Sequence, residues 1–368
     1  MSGRDRLDIM NTPNAPLTVA MIGCGKPWRS EGATGFGMAH RHMAGYAAYG
    51  PGRCRLAAVA DLSRENAEAF VARYDASARI FSDYREMMAA VRPDVVSVCL
   101  WPHLHAEVVE ACAAFRPKVI FCEKPMDIHW DTSLRMQEVC RAHGVLLAIN
   151  HQRRFNRPLQ RAKALLDAGE IGRLVRLEGA WHNLADSGTH VLDMMFFFNG
   201  DTPAEWVLGQ IDMRGAARVF GALHAGHGIA EFRFGNGVRA IYHFGHQHAE
   251  LGCLLRITGE RGEIEILFDA PWLRIRRAGQ AAWECIDTGE TIHDDAAIYR
   301  GIADFLDSVG TGRVPQLAAE RALRATEIIF ATHESSRRRA RVDLPLPPSR
   351  CAMLDMVASG ELAEGAGP

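Results

Sequence analysis

Apolar and polar residues alternate along this chain in two different rhythms. Through the first 150 residues, short apolar runs take turns with stretches of helical spacing. Positions 17–22, 56–60, 94–100, 119–122 and 145–149 read as buried strands, and 64–74, 107–115 and 130–143 as helices between them. That alternation predicts a parallel sheet flanked by helices, a doubly wound α/β unit over 17–150 behind a short extension, 1–16. From about residue 170 the rhythm changes. Positions 174–181, 228–234, 238–244, 253–258 and 263–268 alternate polar with apolar residues, and Asn236-Gly237 and Gly259–Gly262 supply hairpin turns. This predicts a second, α+β domain over 151–347 built on a large open antiparallel sheet, one face on a core and the other covered by another subunit. Helical spacing returns at 297–310 and 318–336. Residues 348–368 mix Pro, Gly, Ser and Ala and read as a flexible tail.

The first strand ends at Gly23-Cys24-Gly25, where a dinucleotide fold places its first turn. The second ends at Asp61, whose carboxylate would accept hydrogen bonds from ribose hydroxyls and repel a 2′-phosphate. Ser63-Arg64, just beyond, could instead serve that phosphate, so NAD is favoured and NADP stays open. The spacing departs from the usual fingerprint. The next residue able to open a helix is Gly37, so 26–36 inserts about nine extra residues into the turn. The insertion holds Trp28, Arg29 and Glu31; it either folds over the cofactor or the substrate mouth, or is a surface excursion or a subunit contact. Gly23, Asp61, Trp101-Pro102 and Lys124 all fall at carboxyl ends of predicted strands, the usual ligand side of such a sheet.

Acid–base chemistry has its own signature. On a helix, Asp186, His190 and Asp193 fall at i, i+4 and i+7 and share a face. Either aspartate could orient the imidazole, leaving one ring nitrogen free to exchange a proton. Lys124, held between Glu123 and Pro125, could reach the same substrate oxygen. Arg153 and Arg154 could anchor a hydroxyl-rich or anionic substrate, or be ordinary charges. His243, His246 and His248, with His224 and His227 nearby, raise a metal, but only 246 and 248 would share a strand face and no cysteine or carboxylate stands at a familiar ligand spacing. No metal is expected.

Composition narrows the classes. The chain has 368 residues, 48% hydrophobic and 23% charged, enough for two domains with a core each. A formal charge of −2 gives no reason to expect nucleic acid or an anionic membrane as partner. The nine cysteines form no C-x-x-C pair, which suits reduced thiols in a cytoplasmic protein. The polar N-terminus shows no signal sequence, and no apolar run approaches a membrane span.

The chain resembles the Gfo/Idh/MocA oxidoreductases, the group containing glucose–fructose oxidoreductase and inositol dehydrogenase. The resemblance spans about residues 17 to 345. It rests on Gly23-x-Gly25, Trp101-Pro-His-Leu-His105, Cys122-Glu-Lys-Pro125, Arg153-Arg-Phe155, Asp186-Ser-Gly-Thr-His190 and Ile257-Thr-Gly-Glu-Arg-Gly262, and Ser335 through Pro347 also fit. It implies an NAD(P)-binding Rossmann domain and hydride transfer between nicotinamide and a secondary alcohol or ketone of a sugar, cyclitol or glycoside. It makes Lys124 the polariser of the substrate oxygen, His190 the general acid/base, and Asp186 a partner of one of them or of a substrate hydroxyl. Gly23, Gly25, Gly37, Asp61, Trp101, Pro102, His105 and Glu123 become cofactor candidates. Arg154, His182 and Asp193 are candidates for substrate contact, with Asp193 also readable as a helix-packing residue. A homodimer or homotetramer through the second sheet is expected. A redox-neutral enzyme with tightly bound NAD (lyase, epimerase or glycosidase) and a non-catalytic nucleotide-binding regulator are the alternatives.

Overall fold

The computed structural model describes residues 15–245 and 248–363. Six strands, β1 (Leu17–Ile22), β2 (Cys54–Ala60), β3 (Arg79–Phe81), β4 (Val95–Val98), β5 (Val119–Cys122) and β6 (Leu146–Ile149), form one sheet in the order 3-2-1-4-5-6. Every pairing in it is parallel. Strands β4 and β5 are buried throughout, which is why they read as unbroken apolar runs. The crossovers are α1 (Met38–Ala48), α2 (Arg64–Tyr74), α3 (Tyr84–Val91), α4 (His105–Ala113) and α5 (Trp130–His143).

The second sheet follows α6 (Arg157–Asp167) and contains β7 (Leu174–Trp181), then, after α7 (Gly188–Phe198), β8 (Ala204–Asp212). A two-stranded hairpin, β9 (Ala217–Val219) and β10 (Ala222–His224), stands apart from it. The sheet continues with β11 (His227–Phe234), β12 (Arg239–Gly245), β13 (Leu255–Gly259), β14 (Gly262–Ile266), β15 (Leu273–Arg277) and β16 (Glu284–Cys285). Two further helices, α8 (Ala296–Ser308) and α9 (Ala319–Arg338), precede β17 (Val342–Asp343), which closes the far edge of a nine-stranded order 16-15-14-13-7-12-11-8-17. The sheet is mixed rather than antiparallel: β7 and β12 run parallel, joined through α7, β8 and β11 instead of a hairpin. Helices α7 and α9 cover its inner face, and α7 lies so close that a Cβ on Gly179 of β7 would sit 2.5 Å from Val191.

Two features depart from the sequence reading. Helix α8 packs on α1, with Phe305 against Phe121 at 4.8 Å between ring centroids, so a late segment completes one face of the first sheet. Residues 348–363 are not a loose tail. A last helix, α10 (Ala352–Ala358), packs on α9 and buries Met353 and Met356. Small and apolar residues there serve a core, not a linker. Residues 1–14 of the expected extension, His246 and residues 364–368 lie outside the described residues. Among the described residues no helix is long and apolar enough to cross a membrane.

Candidate active site

A cleft of about 620 Å³ opens where the order of the first sheet reverses between β1 and β4, and the second domain forms its other wall. Ligands of open α/β sheets bind at such switch points. Gly23 closes its floor at φ 80°, and a Cβ there would come within 2.6 Å of the Cys99 carbonyl oxygen, so only glycine fits. Gly25 at φ 56° has nothing within 4 Å of its missing Cβ, which leaves the loop open to a bound group. Gly37 precedes α1 without any side-chain cap, and Met38 and Ala39 line the cleft, so this helix start faces it with uncapped amides. These are the features a dinucleotide pyrophosphate uses.

Asp61 stands behind the glycine loop at the end of β2. Its carboxylate accepts from the amides of Cys24 at 2.7 Å, Gly25 at 3.2 Å and Ser63 at 2.7 Å, and carboxylate oxygens keep further lone pairs for a ribose. The residues that could have served a 2′-phosphate are engaged elsewhere: Ser63 Oγ caps α2 and Arg64 pairs with Glu68 at 2.7 Å. Trp101, Pro102 and Glu123 line the cleft. Glu123 accepts from His42 at 2.8 Å and Asn150 at 2.7 Å; burial alone would raise its pKa, but these partners hold it below the ordinary carboxylate value. His105 is not in the cleft. It is fully buried, with its ring nitrogens 2.9 Å from the Pro125 oxygen and 3.0 Å from the Leu100 oxygen, and it ties the 100–105 turn to the Lys124-Pro125 segment.

Lys124 projects from the end of β5 and meets Asp186 across the cleft, Nζ to Oδ1 2.7 Å. Asp186 lies in a turn before α7 rather than on it, so the expected shared helix face does not form. Asn183 builds that turn: its Oδ1 accepts from the amides of Asp186 at 2.7 Å and Ser187 at 3.0 Å. Gly188 follows because a Cβ there would lie 2.5 Å from the Asn183 oxygen and 2.8 Å from Tyr242 Oη. His190, one turn later, lines the same cleft. Neither aspartate orients its ring, and its Nδ1 is buried without a hydrogen-bond partner among the described residues. Burial first, then the charges of Lys124 and Arg153 and the neighbouring His151, push its pKa well below the ordinary value.

Two substrate candidates prove structural. Arg154 is 1% exposed and lies away from the cleft, donating to both oxygens of Asp193 at 2.8 Å each and to Asp201 at 2.8 and 3.1 Å. Asp193, also 1% exposed, is thereby spent on Arg154, with His151 Nδ1 3.4 Å away. The neighbouring Arg153 is the arginine that faces the cleft, together with Gln152 and the predicted His182. Two adjacent arginines in one tight turn point to opposite sides, and sequence cannot say which side is the ligand's. Sequence reasoning also missed His293, Asp294 and Asp295 at the start of α8, which line the cleft from far along the chain without any motif to flag them. The insertion does reach the cleft: Trp28 and Phe36, each 46% exposed, line its mouth, and Phe36 meets Phe220 of the β9–β10 turn edge-on at 5.8 Å. His243 lies instead in a separate hollow on the outer face of the large sheet. Among the described residues no group of three histidine, cysteine or acidic side chains is placed to hold a metal.

One cleft thus brings the glycine turn and the uncapped start of α1 together with a lysine–aspartate pair and a histidine. A family model described as the oxidoreductase family Gfo/Idh/MocA with the NAD-binding Rossmann fold matches residues 17–151. An inositol 2-dehydrogenase from Burkholderia multivorans is 32% identical over 142 residues, 38% of this chain and 42% of the relative. The chain thus spans less than half the length of that curated relative. Among solved structures, levoglucosan dehydrogenase in complex with NADH and L-sorbose superposes with a TM-score of 0.75 at 20% identity, covering 90% of this chain and 99% of that one. The WlbA dehydrogenase from Bordetella pertussis, in complex with NADH and UDP-GlcNAcA, gives 0.72 at 19%, covering 90% and 99%. These likenesses extend the shared fold over both domains.

One consequence is a pH profile. With its pKa held well below 6.5, His190 stays neutral through the mildly acidic range, so an acid limb of kcat/KM carried by this ring is expected below the ordinary imidazole range. A limb at pH 6.5 or above would contradict this environment. The same shift acts on stability: the unfolded chain takes up a proton near 6.5 that the folded chain refuses, so His190 costs stability as pH falls below that value.

Proposed function

We propose that the cleft binds NAD and that the protein interconverts a secondary alcohol and a ketone on a sugar, cyclitol or glycoside derivative. The observation that carries this reading is the 2.7 Å Lys124–Asp186 pair beside His190, in the same cleft as the glycine loop. Gly23, Gly25 and the start of α1 would hold the pyrophosphate, and Asp61 the adenosine ribose, with its charge favouring NAD over NADP. A nicotinamide held there would supply hydride-transfer chemistry at the carbinol carbon. The chain's own groups handle the proton. Asp186 holds the Lys124 ammonium in the cleft, where it donates to the substrate oxygen and stabilises developing alkoxide. Neutral His190 takes the hydroxyl proton during oxidation and gives it back during reduction.

A redox-neutral cycle on retained NAD is the second reading. It is favoured by Trp28, Phe36 and Phe220, which bridge the two domains across the cleft mouth and would slow release of a bound dinucleotide. The same family expectation puts self-association, as a homodimer or homotetramer, on the open face of the large sheet, where Leu208 and Ile229 are exposed. The test of function is absorbance of reduced nicotinamide across a panel of sugars, cyclitols and glycosides, with NAD and with NADP. Net NADH formation with NAD supports the dehydrogenase. Turnover without net NADH, by protein that carries nicotinamide as purified, supports the redox-neutral cycle. Absence of both turnover and nucleotide binding would sink both.

A further inference from the structure

Four cationic side chains of lysine and arginine line the cleft, and three have a carboxylate within ion-pair distance. Lys26 lies 3.8 Å from Glu65, Arg41 2.9 Å from Asp295 and Lys124 2.7 Å from Asp186. Arg153 has none among the described residues. It is 8% exposed, its Nη1 donates to the Ile292 carbonyl oxygen at 3.0 Å, and its guanidinium carbon sits 4.4 Å from the Trp181 ring centroid. Its Nε is buried and makes no hydrogen bond among the described residues. Burial alone pushes its pKa down to about 10, with no neighbouring carboxylate to hold it up.

A desolvated charge without a counter-charge is costly, and the Trp181 face offsets only part of that cost. Arg154, one residue on, shows the ordinary solution in this fold, with two carboxylates on one guanidinium. We propose that Arg153 takes a carboxylate of the substrate, so that the natural substrate is a sugar acid rather than a neutral sugar or cyclitol. The proposal rests on the cleft being the substrate site of an oxidoreductase. The guanidinium fork matches a carboxylate in bidentate geometry, whereas a neutral hydroxyl would accept a hydrogen bond and leave the charge uncompensated. Arg153 stacks on Trp181 and lines the cleft together with Lys124, Asp186 and His190, and its charge contributes to lowering the His190 pKa, so the anion belongs on the His190 side of the cleft. A bound carboxylate would cancel that charge and raise the basicity of His190 when substrate is present.

The test uses the NAD-loaded protein with matched pairs, D-glucuronate against D-glucose and D-galacturonate against D-galactose, plus D-gluconate, myo-inositol and D-glucose 6-phosphate. Wild type, Arg153→Gln and Arg153→Lys are compared, with far-UV circular dichroism and thermal midpoint as checks on folding. Charge-assisted hydrogen bonds of this kind correspond to about a 10–100-fold effect, so wild type is expected to prefer the acid of each pair by about that factor in kcat/KM. In Arg153→Gln the acid-to-neutral ratio should collapse, through KM for the acid, and Arg153→Lys should restore part of it. Calorimetric titration of the NADH-loaded protein with the three acids gives a readout independent of turnover. Acid binding to wild type and not to Arg153→Gln, with no turnover of any compound, would support the anion site while the oxidoreductase reading fails. Preference for the neutral member of each pair, or for the phosphate, would overturn the proposal and leave that reading standing. So would equal losses for acid and neutral partners in Arg153→Gln, or failure of every acid to bind.

Discussion

Replacing His190 with asparagine is expected to lower kcat by about 10²–10⁴-fold, the usual contribution of a positioned acid–base group. Asparagine keeps a polar side chain of similar reach, but it cannot take the proton. Lys124→Met is expected to cost about 10²–10³-fold, the range for losing one preorganised donor at a developing oxyanion. Its carboxylate partner Asp186 would remain tethered by Asn183, so the loss reports the ammonium and not collapse of the turn. In the proposed mechanism both residues serve one oxygen and one proton, so the double variant should lose little more than the worse single one. Steady-state kinetics on whichever panel substrate is turned over measures this, and NADH fluorescence titration separates lost chemistry from lost dinucleotide. Near-wild-type kcat in either variant would remove that residue from the mechanism.

The second large effect is on stability. Asp193→Ala would leave the fully buried Arg154 guanidinium with Asp201 as its one remaining carboxylate among the described residues, and Asp201 is already shared with Arg321. Removing one partner of a buried pair costs about 3–5 kcal/mol when the other charge is left uncompensated, so the loss here is expected toward the lower end, with Asp201 retained but shared. The double change Arg154→Met with Asp193→Leu should cost less than Asp193→Ala alone, since no orphan charge remains. Urea denaturation of the three proteins checks the order. The pair also makes a pH statement. Burial opposes ionisation of Asp193, yet Arg154 holds its carboxyl well below the ordinary 3.8, so the contribution is complete above that value and fades as pH falls through it.

Much of this was legible because each signal was local. Strand 17–22 running into Gly23-Cys24-Gly25, the end of β2 at Asp61 and the apolar runs of β4 and β5 are short-range patterns, and the structure forms them where periodicity puts them. Lys124 and Asp186 lie 62 residues apart, yet they were found because each sits in a distinctive short motif. What stayed hidden depends on direction and return. Arg153 and Arg154 differ in which way one turn of 3₁₀ helix points them, and the pattern favoured the buried one. His105 looked like a cleft residue because it follows Trp101-Pro102, but the helix it opens carries it inward. Strand β8 was missed because Gly209 interrupts its pattern; a Cβ there would lie 2.7 Å from Thr332 of α9, a contact only the tertiary fold reveals. The tail was misread for a related reason, since Met353 and Met356 acquire meaning only against α9.

The central claim is that hydride leaves a carbinol carbon in this cleft while Lys124 and His190 manage the oxygen and its proton. Stopped-flow mixing of NAD-loaded protein with substrate, followed at the absorbance of reduced nicotinamide, tests it most directly, because it registers hydride transfer whether or not NADH is later released or reoxidised. A rapid rise in wild type, slowed about 100-fold or more in His190→Asn, is the predicted result. A rise of equal rate in the variant, or no rise on any compound that the NAD-loaded wild type is shown to bind, would contradict the account.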